Sequence, residues 1–375
     1  MAVDQGWLQR NLGIPEAVHA ELLAASAPSA ASDDRAMLRS LIDFDSDGPE
    51  GATFAALAPM STGLSKFVDI PWPAGLAPTP ATTTPVGESL PKSDVLIVTW
   101  TVDEGHALSR VLSPGFDSKN DWKPYTKNYA EIAAHMRNGC PAIEAKRLGT
   151  YWTTMIGSKT VTLFKSDSHM SQDGPALPNA TVWQQIIEDC APSWVITTGT
   201  GGGIGKAFEV GDVIVSPFVT FSCKKEFKKY DGDTFSCATR APGKTTEAHK
   251  LFAYNAPFLP TDNTRPPKIV HSKTAPTGIL TTDYFGFDNT DNTYQLQGKG
   301  DLSEMGDAVL GMVCQQLGSS APNYVIVRNV SDPEIDSTGI TIKQQEVVAA
   351  QIYKGFGRWS SVCSAIVCWS IVADL

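Results

Sequence analysis

The chain has 375 residues, 42% hydrophobic and 19% charged, enough to bury a sizeable core in one large or two modest domains. A formal charge of −10 and a pI near 5.1 argue against non-specific binding to nucleic acid or to an anionic membrane surface. Seven cysteines, none spaced C-x-x-C, and six scattered histidines fit free thiols in a reducing, cytoplasmic setting and point to no metal site.

The first residues, MAVDQGWLQR, carry acid and no apolar core, unlike a signal peptide. Residues 1–35 read as helical, with Pro15 placed to begin a helix through AVHAELLAA. Residues 45–92 are rich in Pro, Thr and Ala and read as an extended linker or a strap across the surface. DVLIVTW, from Asp94, is an apolar β-branched run of the kind buried parallel strands show, and TVDEGHALSRVL follows with helical spacing. Further strands are expected at TVTLFKS, SWVITTG, DVIVSPFV and NYVIVRNV. Helices are expected at ATVWQQIIEDC, DLSEMGDAVLGMVCQQL and KQQEVVAAQIYKGFGRW. The final apolar run, VCSAIVCWSIVA, is too short to span a bilayer and reads as a buried helix. Strands alternating with helices predict an α/β sheet. CKKEFKKYDGD, from Cys223, reads as a solvated hairpin or, alternatively, an anion-contacting edge.

The glycine-rich stretch TGTGGGIGKAFEVGDVIVS, from Thr198, fits neither familiar phosphate cradle. A P-loop needs glycine where Thr200 stands and a hydroxyl where Ala207 stands. A dinucleotide fingerprint needs its third glycine at Ile204 and a helix where VGDVIVS reads as a strand. The reading is strand, glycine loop, strand: either a plain turn or a place where backbone approaches a ligand closely. Other strand ends carry Asp103 and Glu104 after DVLIVTW, and Ser331 and Asp332 after NYVIVRNV. Carboxylates there either cap the next helix or divide acid and base work across a substrate.

Four segments in order resemble the nucleoside phosphorylase and nucleosidase superfamily, the purine nucleoside phosphorylase fold, over about residues 94–370. They are TGTGGGIGKAFEVGDVIVS, TTDYFGFDN, DLSEMGDAVLGMV and VIVRNVSDPEID. The resemblance implies a single three-layer α/β domain at 93–375, with a central mixed, twisted sheet flanked by helices. Residues 1–92 stand outside it as a helical and extended extension. It also implies cleavage of an N-glycosidic bond, with Asp332 protonating the departing purine. Phe285 and Gly286 match the residues that stack on and read the base. Thr200, Gly201 and Gly202 match the floor under the ribose, and Met305 a methionine packed on it. Arg328 and Ser331 match residues that position the acid. The family's E-M-E triplet is here Glu304-Met305-Gly306, so the second acid, which binds the ribose hydroxyls, is missing. Asp307 is adjacent but turned by about 100° on a helix.

The first strand ends W-T-V-D-E-G-H, without the phosphate-binding arginine of the phosphorylases. It is similar to the methylthioadenosine/adenosylhomocysteine nucleosidase-like branch, whose last acid activates water, and Glu104 matches that acid. The expectation is therefore hydrolysis of a purine-type nucleoside without a cofactor, by a homo-oligomer. A phosphorylase using phosphate as co-substrate and a catalytically reduced nucleoside-binding module are the alternatives. His106 is expected to face outward. His169 and Trp100 stand between pocket contacts and ordinary loop or core positions.

Overall fold

The structure, a computed structural model, describes residues 2–4, 6–25, 34–63, 69–81, 87–236, 246–252, 255, 259–272 and 278–375. Its centre is the strand Val95–Thr99, which pairs in parallel with Lys159–Ser166 on one side and with Trp194–Gly203 on the other. Trp194–Gly203 pairs in turn, along its length, with Asn323–Asp332, also in parallel. Antiparallel partners complete a mixed sheet: Gly149–Ile156 beside Lys159–Ser166, Val213–Ser216 beside Asn323–Asp332, and Leu302–Glu304 against Gly202 and Gly203.

Alternation along the central strands sorts side chains into two cores. Val95, Ile97, Ile196, Val325 and Val327 face the helices Val102–Leu112 and Ile342–Asp374. Leu96, Val98, Val195, Tyr324 and Ile326 face Pro178–Cys190 and Asp307–Leu317. The result is the three-layer α/β sandwich expected for residues 93–375.

Several local expectations are corrected. The strand does not stop before the glycines but runs through Gly203. Leu302–Glu304 is a strand, so the helix expected from Asp301 begins at Asp307. The two expected C-terminal helices are one of 33 residues, Ile342–Asp374. By length and composition this helix could cross a membrane, but 89% of its apolar window is buried in the fold, as in a core helix. The basic run lies in the loop of an antiparallel hairpin, Phe218–Phe221 with Thr234–Ser236.

Residues 45–92 are not a plain linker: Pro49–Leu57 is a helix started by Pro49, whose fixed φ suits the first turn. Residues 26–33, 64–68 and 82–86 of the N-terminal stretches lie outside the described residues. The helices Trp7–Leu12 and Asp34–Ile42 and the residues around them lie on the sheet domain. Trp7, Leu8, Leu12, Phe44 and Phe54 join the core beside the C-terminal helix. Backbone hydrogen bonds link Val3 to Glu334 and Asp336.

Candidate active site

The carboxyl ends of Val95–Thr99, Trp194–Gly203 and Asn323–Asp332 meet at one pocket, of about 710 Å³ of space open to its mouth. The position is where ligands bind in open α/β sheets. Glu104, Thr200, Gly201, Gly202, Phe285, Gly286, Glu304, Met305, Arg328, Ser331 and Asp332 all line it.

The glycine stretch has a specific reason to be glycine. Gly199 has φ of +150°, and a Cβ there would sit 2.5 Å from Glu104 Oε1 and 2.8 Å from Arg328 Nη1. At Gly202 a Cβ would stand 2.9 Å from Asp332 Oδ2. The bare backbone lets two carboxylates and a guanidinium close on the strand.

Glu104 sits in the first turn of Val102–Leu112, in a capping box with Thr101. Its Oε2 accepts from Thr99 Oγ1 (3.0 Å), Trp100 N (3.0 Å) and Thr101 N (2.9 Å). Its Oε1 accepts from Thr200 N and Oγ1, both at 2.7 Å. Burial raises its pKa, but Arg328 and these donors outweigh that and hold the group below the usual glutamate range. The same carboxylate caps the helix and lines the pocket.

Asp332 has the opposite environment. Burial pushes its carboxyl up to about 7, opposed only by the Ser331 hydroxyl, 2.7 Å from Oδ1. Its Oδ2 takes no protein hydrogen bond among the described residues. The side chain is therefore an acid that can hold a proton near neutrality and has an oxygen free to deliver it.

Arg328 binds Asp307 through Nε and Nη2, both at 2.8 Å, reaches Glu304 Oε2 at 3.2 Å and donates to Thr200 O at 3.3 Å. Burial alone would weaken its charge, but Asp307 and Glu304 reverse that and hold it firmly protonated. Glu304 is spoken for: it accepts from Thr281 Oγ1, Gly306 N (2.6 Å), Asp307 N and Arg328. Burial and then Asp307 push the Glu304 carboxyl up against the pull of Arg328. Asp307 is corrected as a substrate contact. It is fully buried, turned toward Arg328 at the start of its helix, and does not line the pocket.

Trp100 and His169 both line the pocket. His169 Nδ1 accepts from Ser171 N at 3.2 Å, which puts the ring proton on Nε2, and burial lowers its pKa to about 4. It is a neutral donor at ordinary pH. His106 does not face outward: it is buried between Asp117 Oδ2 (3.1 Å) and Asp45 Oδ1 (3.3 Å), away from the pocket. Asp103 is likewise structural, its Oδ1 accepting from Ser46 N and Oγ.

One wall was missed in the sequence. Leu38, Leu41 and Ile42, on one face of Asp34–Ile42, roof the pocket with Tyr353. Leu41 and Tyr353 pack together with Phe285 against them. The i, i+3, i+4 spacing of those three apolar residues was the available signal.

Family comparison bears on this geometry. Residues 124–351 match the family model described as the phosphorylase superfamily, and the chain belongs to that family. No curated protein matches it. Among solved structures it is similar to a 5'-methylthioadenosine/S-adenosylhomocysteine nucleosidase from Neisseria meningitidis, with a TM-score of 0.44, 18% identity, and coverage of 75% of this chain and 100% of that one. It is also similar to futalosine hydrolase of Helicobacter pylori, with a TM-score of 0.46, 15% identity, and coverage of 75% and 97%. A third is S-adenosylhomocysteine nucleosidase from Streptococcus pyogenes, with a TM-score of 0.44, 15% identity, and coverage of 76% and 98%.

Proposed function

We propose that this chain hydrolyses the N-glycosidic bond of a purine-type nucleoside, giving free base and free sugar. The observation that carries this reading is Asp332: a buried carboxyl pushed up to about 7, with Oδ2 unpartnered among the described residues, in the pocket that Phe285 and Gly286 also line. Asp332 gives its proton to the base as the C–N bond breaks and the bonding pair leaves with the base. Positive charge then grows on the sugar, and the ionised Glu104 faces it. Water adds to the anomeric carbon. Its surplus proton passes to the Thr200 oxygen as the Thr200 hydroxyl proton passes to Glu104 Oε1, because the five donors on Glu104 leave no open lone pair for water itself. No cofactor is called upon.

Charge favours water over phosphate. Among the described residues Arg328 is the one cationic side chain lining the pocket, and it is engaged by Asp307 and Glu304, while His169 is neutral. A phosphate anion at 4 Å from Glu104 would be repelled by about 4 kcal/mol per charge pair at an effective dielectric of 20. In phosphate buffer, ³¹P NMR of the reaction should show no sugar 1-phosphate while base accumulates. Sugar 1-phosphate formed in step with base would replace hydrolysis by phosphorolysis.

The roof helix should act on binding more than on chemistry, since the residues it gives to the pocket, Leu38, Leu41 and Ile42, are apolar. Leu41→Ala is expected to raise KM about tenfold, with kcat within about twofold, as a few lost apolar contacts imply. An equal fall in kcat at unchanged KM, in steady-state kinetics, would contradict that division.

A further inference from the structure

We propose that the sugar subsite takes a glycon without a vicinal diol, a 2′-deoxyribosyl group above all; this rests on the nucleosidase reading above. The argument is an inventory of hydrogen-bonding capacity. A vicinal diol enclosed by protein brings two O–H donors side by side and needs a paired acceptor, which a carboxylate supplies. Among the described residues three carboxylates line the pocket. Both oxygens of Glu104 are taken by Thr99, Trp100, Thr101 and Thr200. Both oxygens of Glu304 are taken by Thr281, Gly306, Asp307 and Arg328. The third, Asp332, is the acid at the base, with Oδ2 alone unpartnered. The carbonyls of Thr200 and Gly286 each accept from one protein donor, Arg328 and Ser303, and a lone carbonyl is not the paired acceptor that a diol needs.

What the pocket offers on the Glu104 side is the reverse. His169 carries its proton on Nε2, because Nδ1 accepts from Ser171 N. The indole of Trp100 lines the same side, its N–H buried and without a hydrogen-bond partner among the described residues. Position 306 has no side chain, and the space beyond it belongs to Trp100: a Cβ there would lie 3.3 Å from Cζ2 and 3.4 Å from Cε2 of that ring. Arg328 over its face (4.5 Å) and Trp183 at 5.7 Å hold the indole in place. Donors and an aromatic surface suit ether oxygen and C–H groups, and leave hydroxyl protons unpaired.

Deoxyribosides also break more easily in solution, so the test reads affinity rather than rate. Adenosine and 2′-deoxyadenosine are titrated calorimetrically into the full-length Asp332→Asn protein, in which turnover is expected to be slowed about 10²–10⁴-fold. The deoxynucleoside should bind at least about tenfold more tightly, the loss expected for an unpaired donor. Adding Gly306→Glu together with Trp100→Ala supplies a carboxylate and the room for it, and should move the ratio toward adenosine by about tenfold. Adenosine binding as tightly as, or more tightly than, 2′-deoxyadenosine to the Asp332→Asn protein overturns the inference alone. Binding of neither overturns the inference and the nucleosidase reading together. Tighter binding of the deoxynucleoside, with no base released by the unmodified protein, supports the inference and sinks the hydrolase reading.

Discussion

Replacing Asp332 by asparagine should lower kcat for base release by about 10²–10⁴-fold, the usual contribution of a positioned general acid. Asparagine keeps the shape and still accepts from Ser331, but it has no proton to give. KM should stay within about threefold, because the change removes an interaction made only as the bond breaks. The same side chain sets the pH profile. A carboxyl pushed up to about 7 is protonated below that pH and ionised above it. The protonated form is the active one, so kcat/KM should fall as pH rises through about 7, and that falling limb should vanish from the residual rate of the variant. A variant with undiminished kcat would remove Asp332 from the mechanism.

Arg328→Met should destabilise the fold by about 3–5 kcal/mol, the cost of removing one partner from a buried charge network. The guanidinium side chain is 4% exposed, and its partners Glu304 and Asp307 are 2% and 0% exposed, so water cannot replace it. The sign of the pH effect follows. Without Arg328 the Glu304 carboxyl is raised further above its unfolded value of 4.5. A group raised in the folded state contributes stability below its unfolded pKa and loses it as pH rises. Both proteins carry that raised group, so urea unfolding should show a steady gap between variant and parent up to about pH 8, where the parent's Glu304 begins to ionise, and a wider gap above it. Arg328→Lys should recover part of the loss, keeping the charge without the forked contact to Asp307. Equal urea midpoints for parent and methionine variant would show that the cluster does not depend on its cation.

The parts legible in the sequence are those encoded by local period. Val95–Thr99 reads as a strand because its residues are apolar and β-branched on both faces, and both faces are in fact covered. The T-x-x-E of Thr101–Glu104 is a capping signature that the structure realises. The parts not legible depend on partners far along the chain. Glycine is a poor strand former, yet Trp194–Gly203 stays a strand because Asn323–Asp332 pairs with it throughout and Leu302–Glu304 meets its end. A three-residue strand such as Leu302–Glu304 is too short to show a period. The roof helix Asp34–Ile42 has its apolar stripe, but what that stripe covers is decided by Tyr353 and Phe285, more than 240 residues away. Asp307 was turned from the pocket by Arg328, a contact that no local rule announces.

The most direct test of the central claim is release of free base from a panel of purine nucleosides in phosphate-free buffer, followed from pH 5 to 9. The account predicts release without phosphate, at a kcat/KM that declines as pH rises through about 7. No base from any nucleoside, release only after phosphate is added, or a rate that climbs with pH would contradict it.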